Sequence, residues 1–217
     1  MTGIRFYNLS RLSSHFDRSL REHVYLKVPV DARPDLSPLR EERVSHLALD
    51  ASGWYSTRME PGQIARDAFM ETLEELATLK SIRSLILNWS APEFPEPLIR
   101  FHNLQHLALH NLNLVSLPGD LGRLNRLRSL FINSYDLVGL PKRIGGLKHL
   151  RELFLNTHRL ARLPKSISQL AELRTFALRI NDRYLYIDWG KAVYVHSKWE
   201  QPVEEILELL SALPSLQ

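Results

Sequence analysis

The sequence predicts an α/β solenoid: a curved parallel β-sheet on a concave face, with helical or 3-10 segments returning along the convex side. Three observations predict it. Units opening at Leu104, Leu127, Leu150 and Leu173 follow one another every 23 residues. Within each unit the first, fourth and sixth places are apolar, the pattern of a short strand with one buried side. A Leu-Pro pair then recurs at a fixed place, at Leu117 and Pro118, Leu140 and Pro141, and Leu163 and Pro164. Self-similarity at a period of roughly 20 to 29 residues defines its own architecture. No single unit can bury its apolar side alone, so stacked units share one continuous core.

In chain order, residues 1–43 read as an N-terminal cap region. There Ile4 to Arg21 are expected to cover the first coil, and Val24, Leu26 and Val28 alternate as in a strand. The solenoid is assigned to 44–181. Val44, Leu47 and Leu49 open a coil 38 residues before Ile82, the extra length being an insertion at 51–81. In that insertion Ile64, Ala68, Phe69, Leu73, Leu76 and Leu79 share helical spacing with Glu71, Glu74 and Glu75 outside, which predicts a convex helix. The next coil, with Ile82, Leu85, Leu87, Pro95 and Leu98, is one residue shorter than those after it.

Three full coils follow. They read Leu104, Leu107, Leu109, Leu114 and Leu117, then Leu127, Leu130, Ile132, Leu137 and Leu140, then Leu150, Leu153, Leu155, Leu160 and Leu163. Proline after the last leucine fixes φ and cannot donate to a ladder, so it ends the descending stretch and sets the next turn. A fourth opens with Leu173, Phe176 and Leu178. In 182–217 the pattern breaks. Tyr184, Tyr186 and Asp188 alternate towards Trp189-Gly190-Lys191 and Val193 and Val195 alternate away, which predicts a hairpin or long loop. Pro202 then opens an amphipathic capping helix, with Val203, Ile206, Leu207, Leu210 and Leu213 on one face and Glu204, Glu205 and Glu208 at its start. The closing LPSLQ is similar to the opening of another coil, which leaves a longer protein open. The whole reads as one continuous domain.

The coils LPKRIGGLKHLRELFL and LPKSISQLAELRTFAL resemble the leucine-rich-repeat family, in its L-x-x-L-P-x-x-I subtype, over roughly residues 82 to 181. That subtype occurs in plant intracellular immune receptors, in Ras-associated scaffold proteins and in bacterial effector proteins, so the resemblance implies macromolecular recognition. The chain departs from the family at the ninth place of each coil. The family there carries an asparagine that bonds the turn backbone, whereas Ser90, Leu112, Tyr135 and His158 stand here, and only Asn181 conforms. Other side chains or water must satisfy those buried backbone groups.

Composition narrows the function. With 44% hydrophobic and 24% charged residues the chain is ordinary for a globular protein. It has no apolar run of the roughly 18 to 20 residues a membrane span needs, and Met1 to Ser10 do not read as a cleaved signal peptide. The absence of cysteine excludes disulfides, thiolate zinc sites and a cysteine nucleophile within these residues. A cytoplasmic setting is expected, or translocation into a host cell without a cleaved signal. The net charge of +4 is too small and too spread to imply nucleic acid by itself.

The repeat register nominates a surface. Side chains between the inward leucines project from the concave sheet. Taking the third, fifth, seventh and eighth places, the candidate partner-binding residues are Ile86, Asn88, Trp89, His106, His110, Phe131, Asn133, Glu152, Phe154, Asn156 and Arg179. Phe131 and Phe154 are neighbours in one column, about 5 Å apart along the stack, with Trp89 close by. Aromatics on a rigid face suit a hot spot, or they pack on one another beneath the C-terminal loop. A second column, Arg83, Arg128, Arg151 and Arg174, could meet an anion or acidic partner; solvation, or neutralisation by Glu152 and Glu172, explains it equally. His102, His106 and His110 have the spacing of metal ligands on a helix. On a strand, however, the last two stand roughly 13 Å apart, too far to share an ion.

Glycine-rich phosphate loops, H-E-x-x-H and G-x-S-x-G are all absent. The sequence therefore points to a non-enzymatic recognition module, of effector or immune type, with another protein as partner, no membrane partner and no cofactor. One alternative is the substrate-recognition part of a larger enzyme, such as a ubiquitin-ligase effector with its catalytic domain elsewhere. A second is nucleic-acid or phosphate binding through the arginine column, which the modest charge disfavours. Nothing in the sequence specifies an oligomeric state.

Overall fold

A computed structural model describes residues 23–27, 36, 39–40, 44–51, 63–110, 113–160, 162–180, 183–188, 192–196, 208, 211 and 213. Among the described residues, nine strands make one sheet in sequential order: β1 (His23–Lys27), β2 (His46–Asp50), β3 (Ser84–Asn88), β4 (His106–His110), β5 (Ser129–Asn133), β6 (Glu152–Thr157), β7 (Thr175–Ile180), β8 (Arg183–Asp188) and β9 (Ala192–His196). From β1 to β7 every neighbouring pair is parallel; β8 then pairs antiparallel with β7, and β9 with β8. Strand β1 falls within the stretch read as a cap and joins the parallel ladder, with Val24 opposite Leu47 and Leu26 opposite Leu49. The expected cap at Ile4 to Arg21 and nearly all of the expected C-terminal helix lie outside the described residues, although Leu213 is fully buried.

The constant repeat length explains the absence of register slips. Leu85, Leu107, Leu130, Leu153 and Phe176 lie opposite one another in a row, as do Leu87, Leu109, Ile132, Leu155 and Leu178. These rows, with the first-place residues Ile82, Leu104, Leu127, Leu150 and Leu173, form one buried column. Each leucine contributes about 1.5–3 kcal/mol through burial, and the coil on either side supplies most of the surface that covers it.

The return segments differ in thickness. A full coil has few residues between its Leu-Pro pair and the next strand, so it closes with one short 3-10 turn: Leu121–Arg123, Ile144–Gly146 or Lys165–Gln169. The Ile82 coil closes similarly, at Glu96–Arg100. The insertion has room for a real helix, α1 (Gln63–Ala77), which buries Phe69, Leu73 and Leu76 against the core. Its Thr72 hydroxyl donates to the Ala68 carbonyl at 2.7 Å, so this polar group is buried at little cost.

Glycine brings the 3-10 turns together. A Cβ on Gly145 would lie 2.4 Å from the Ser166 carbonyl oxygen and 2.8 Å from Gln169 Cβ, so only glycine fits where one coil's turn meets the next.

The missing asparagine ladder has a substitute one place earlier. Ser134 Oγ donates to the Leu114 carbonyl at 2.8 Å, and Thr157 Oγ1 donates to the Leu137 carbonyl at 2.9 Å. Both side chains are fully buried and point into the turn. Each hydroxyl satisfies a carbonyl of the preceding coil that would otherwise be left without a partner in an apolar interior.

Candidate functional site

The third, fifth and seventh places of each coil face away from the core. The fifth-place row runs Ala48, Ile86, Ala108, Phe131, Phe154 and Ala177; the seventh runs Asp50, Asn88, His110, Asn133, Asn156 and Arg179. Ala108, Ala177, Ser84 and Ser129 are small enough to disappear beneath their neighbours. The surface left open is partly exposed Ile86, Asn88, His106, His110, Phe131, Asn133, Glu152, Phe154 and Asn156, with Arg179 more exposed.

Two rows meet in the middle coils. The His110 and Phe131 rings lie 5.1 Å apart at 36°, and Phe131 and Phe154 lie 6.5 Å apart at 41°. These tilted pairs suit the ring quadrupoles better than a face-to-face sandwich. Burial pushes the His110 pKa down, so a neutral imidazole stands beside Phe131 at neutral pH. Alongside, Asn156 Nδ2 donates to Asn133 Oδ1 at 2.9 Å, which ties the two amides into one strip.

Trp89 is a correction to the sequence reading. It is not on the concave face: it is 1% exposed and stacks on Phe69 of α1, with centroids 4.4 Å apart and planes within 11°. The eighth place continues the inward alternation of Leu85 and Leu87, just as Ser134 and Thr157 do in their own coils. The same alternation, carried two residues further, identifies Trp89 as core.

The arginine column is broken into different environments. Arg83 Nη1 donates to the Lys80 carbonyl at 2.5 Å, and Arg151 Nε donates to Glu172 at 3.1 Å. Glu172 also engages His149 Nδ1 at 2.7 Å, and His149 and then Arg151 hold its carboxyl below the usual range. Arg128 and Arg174 are exposed. Sequence reasoning paired Glu172 with the column but missed His149, which lies one coil before Glu172 in the same row.

One strand per coil, sequential parallel pairing, buried leucines at the first, fourth and sixth places and a short convex return all come together in this chain. Its fold is that of a leucine-rich-repeat solenoid. No protein-family model and no curated protein matches it. Among solved structures, it is similar to a leucine-rich-repeat protein of Leptospira interrogans, at 25% identity over 73% of this chain and 36% of that one, with a TM-score of 0.49. It is also similar to an internalin of Listeria monocytogenes, at 18% identity over 87% of this chain and 45% of that one, with a TM-score of 0.45. The leucine-rich-repeat domain of the type III effector XopL matches at 25% identity over 59% of this chain and 54% of that domain, with a TM-score of 0.43. The chain thus spans about a third to a half of the chains it matches.

Within this leucine-rich-repeat chain, no group of three or more His, Asp or Glu side chains among the described residues could hold a metal ion. His106 and His110 occupy opposite ends of β4. Among the described residues, no helix is long and apolar enough to cross a membrane. What the open sheet offers chemically is an aromatic strip, neutral amides and a few charges held on a rigid support, an arrangement suited to contact with another surface.

Proposed function

We propose that this leucine-rich-repeat protein is a recognition module that binds a protein partner on its concave sheet, centred on Phe131 and Phe154. The observation that carries the reading is the unbroken run of His110, Phe131 and Phe154 rings beside the Asn133–Asn156 amide strip. Apolar rings that stay partly exposed lose area to a partner at small conformational cost, because the sheet already holds their backbone. The amides supply direction without the desolvation cost of a charge. Ile86 and Asn88 extend the strip on one side, and Glu152 and Arg179 give it charges of both signs.

The resemblance of its repeats supports an effector or immune-type setting, with the partner being a protein of the host or of the same cell. Arg83 and Arg151 are already engaged, so the concave rings are a better centre than the arginine column.

The test captures partners on immobilised protein, identifies them by mass spectrometry and measures the affinity of each purified partner by calorimetry. Phe131→Ala with Phe154→Ala should weaken the specific partner by about tenfold or more, since truncated hot-spot aromatics each cost about 1–2 kcal/mol or more. Equal affinity for wild type and the double variant would overturn the reading.

A further inference from the structure

The outer flank of the Leu104, Leu127 and Leu150 coils combines two features that the concave site does not use. Among the described residues, the large hydrophobic side chains that stand exposed are Val115 at 38%, Tyr135 at 42% and Val138 at 42%. Val115 and Val138 hold the same place in successive coils, and the Val138 amide donates to the Val115 carbonyl at 3.1 Å. The two valines therefore stand side by side on a fixed backbone ladder. Tyr135, in the same turn, stacks on His158 with centroids 4.3 Å apart.

Base charge surrounds this ridge. Between residues 119 and 180 there are twelve Lys and Arg against four Asp and Glu. Three of those acids are taken: Asp136 pairs with Arg159 at 3.5 Å, Asp120 with Arg123 at 3.6 Å and Glu172 with Arg151 at 3.1 Å. Lys142, Arg143, Arg162 and Lys165 are exposed, and none of the four is ion-paired to a described residue. Lys142 and Lys165 follow the prolines of adjacent coils and so hold the same place one coil apart. Arg162 is one repeat beyond Gly139, the neighbour of Val138, and a Cβ on Gly139 would meet nothing within 4 Å. The valines, the open surface over Gly139 and the four bases make one continuous flank.

We propose that this flank is a second docking surface, which takes an acidic segment of a protein partner whose aliphatic side chains seat on Val115 and Val138. Charge complementarity selects an anionic occupant, and four unpaired cations would each gain a carboxylate without breaking an existing pair. The apolar ridge selects among anions. A phosphodiester backbone brings charge but no aliphatic group to cover the valines, whereas a segment that mixes Glu or Asp with Leu or Val brings both.

The test uses fluorescence anisotropy on the full chain at low and physiological salt, with four probes: a short labelled peptide of repeated Glu-Glu-Leu, polyglutamate of equal length, single-stranded poly-uridine RNA and phosphatidylserine vesicles. The Glu-Glu-Leu peptide should bind better than the other three. Charge reversal in K142E/R143E/R162E/K165E should weaken it about tenfold or more at low salt, and added salt should weaken the wild type. V115S/V138S should weaken it several-fold with an unchanged circular dichroism spectrum. Phe131→Ala with Phe154→Ala should leave it unaffected, which separates this surface from the concave one. The proposal fails if RNA or vesicles bind more tightly than the peptide, if polyglutamate binds as well as Glu-Glu-Leu, or if the charge-reversed variant binds the peptide like wild type.

Discussion

The indole of Trp89 lies flat on the ring of Phe69, 4.4 Å away, and joins the last residue of a strand turn to the middle of the only long helix among the described elements. This pair fastens α1 to the repeat array. Trp89→Ala removes the largest fully buried side chain of the described core and leaves Phe69 facing a void. The expected cost is about 3–5 kcal/mol, read as a lower urea midpoint, whereas Phe131→Ala on the open sheet costs much less.

Ser134 and Thr157 predict a second effect. Thr157→Val keeps the volume and removes the hydroxyl, leaving the Leu137 carbonyl without its donor. It should destabilise by about 1–3 kcal/mol, and Ser134→Ala by a similar amount at the Leu114 carbonyl. The two changes sit in successive coils, so a double-mutant cycle should show coupling between them. A Thr157→Val protein as stable as wild type would mean that the hydroxyl ladder is not a structural device.

Gly145→Ala should cost about 1–3 kcal/mol through overpacking, because the new methyl must displace the backbone of the next coil. Gly139→Ala meets open space and should leave the thermal midpoint nearly unchanged. The comparison separates a packing requirement from the general preference of turns for glycine.

Acid should act in two separate windows. Burial lowers the His110 pKa from 6.5, so the folded protein holds that proton less tightly than the unfolded chain. Its contribution to stability is full above about 6.5 and declines as pH falls from there towards the lowered folded value. His149 and Arg151 lower Glu172 from 4.5, so its contribution is present above that value and is lost as pH falls through the folded one. The Glu172 carboxylate is solvent-accessible, and salt should shrink its share. His110 ring protons followed by NMR should titrate below the ordinary histidine value of 6.5, and Glu172→Gln should flatten the lower window of a urea-midpoint profile while sparing the upper one.

Much of the architecture was legible in the residues because two periods reinforce each other. Alternation over five or six residues marks a strand with one buried side, and its return every 23 residues gives each strand its neighbours. The face at Phe131, Asn133, Phe154 and Asn156 follows from that register. Trp89 was misplaced because the family template puts the turn-facing residue at the ninth place, whereas in this chain the inward position is the eighth, where Ser134 and Thr157 also point. The state of each arginine could not be read from its column. Arg151 depends on Glu172, 21 residues later, and Arg83 on a backbone carbonyl, and neither partner follows from the repeat itself.

The glycines of the convex turns also govern how sharply the array bends. Gly122 and Gly146 approach so closely that a Cβ on either would lie 3.4 Å from the other's Cα, and Gly145 allows the next turn the same intimacy. Curvature in a stacked array grows with the difference between its outer and inner spacing. An α-helix about 10–12 Å across, such as α1, therefore wedges its coil open, whereas slim 3-10 turns let the outer edge keep pace with the strands. On this argument the arc is expected to be tightest near α1 and flatter through the coils of Phe131 and Phe154, which would set the aromatic strip on a shallow facet. Such a facet fits the broad side of a folded partner better than a narrow protruding loop.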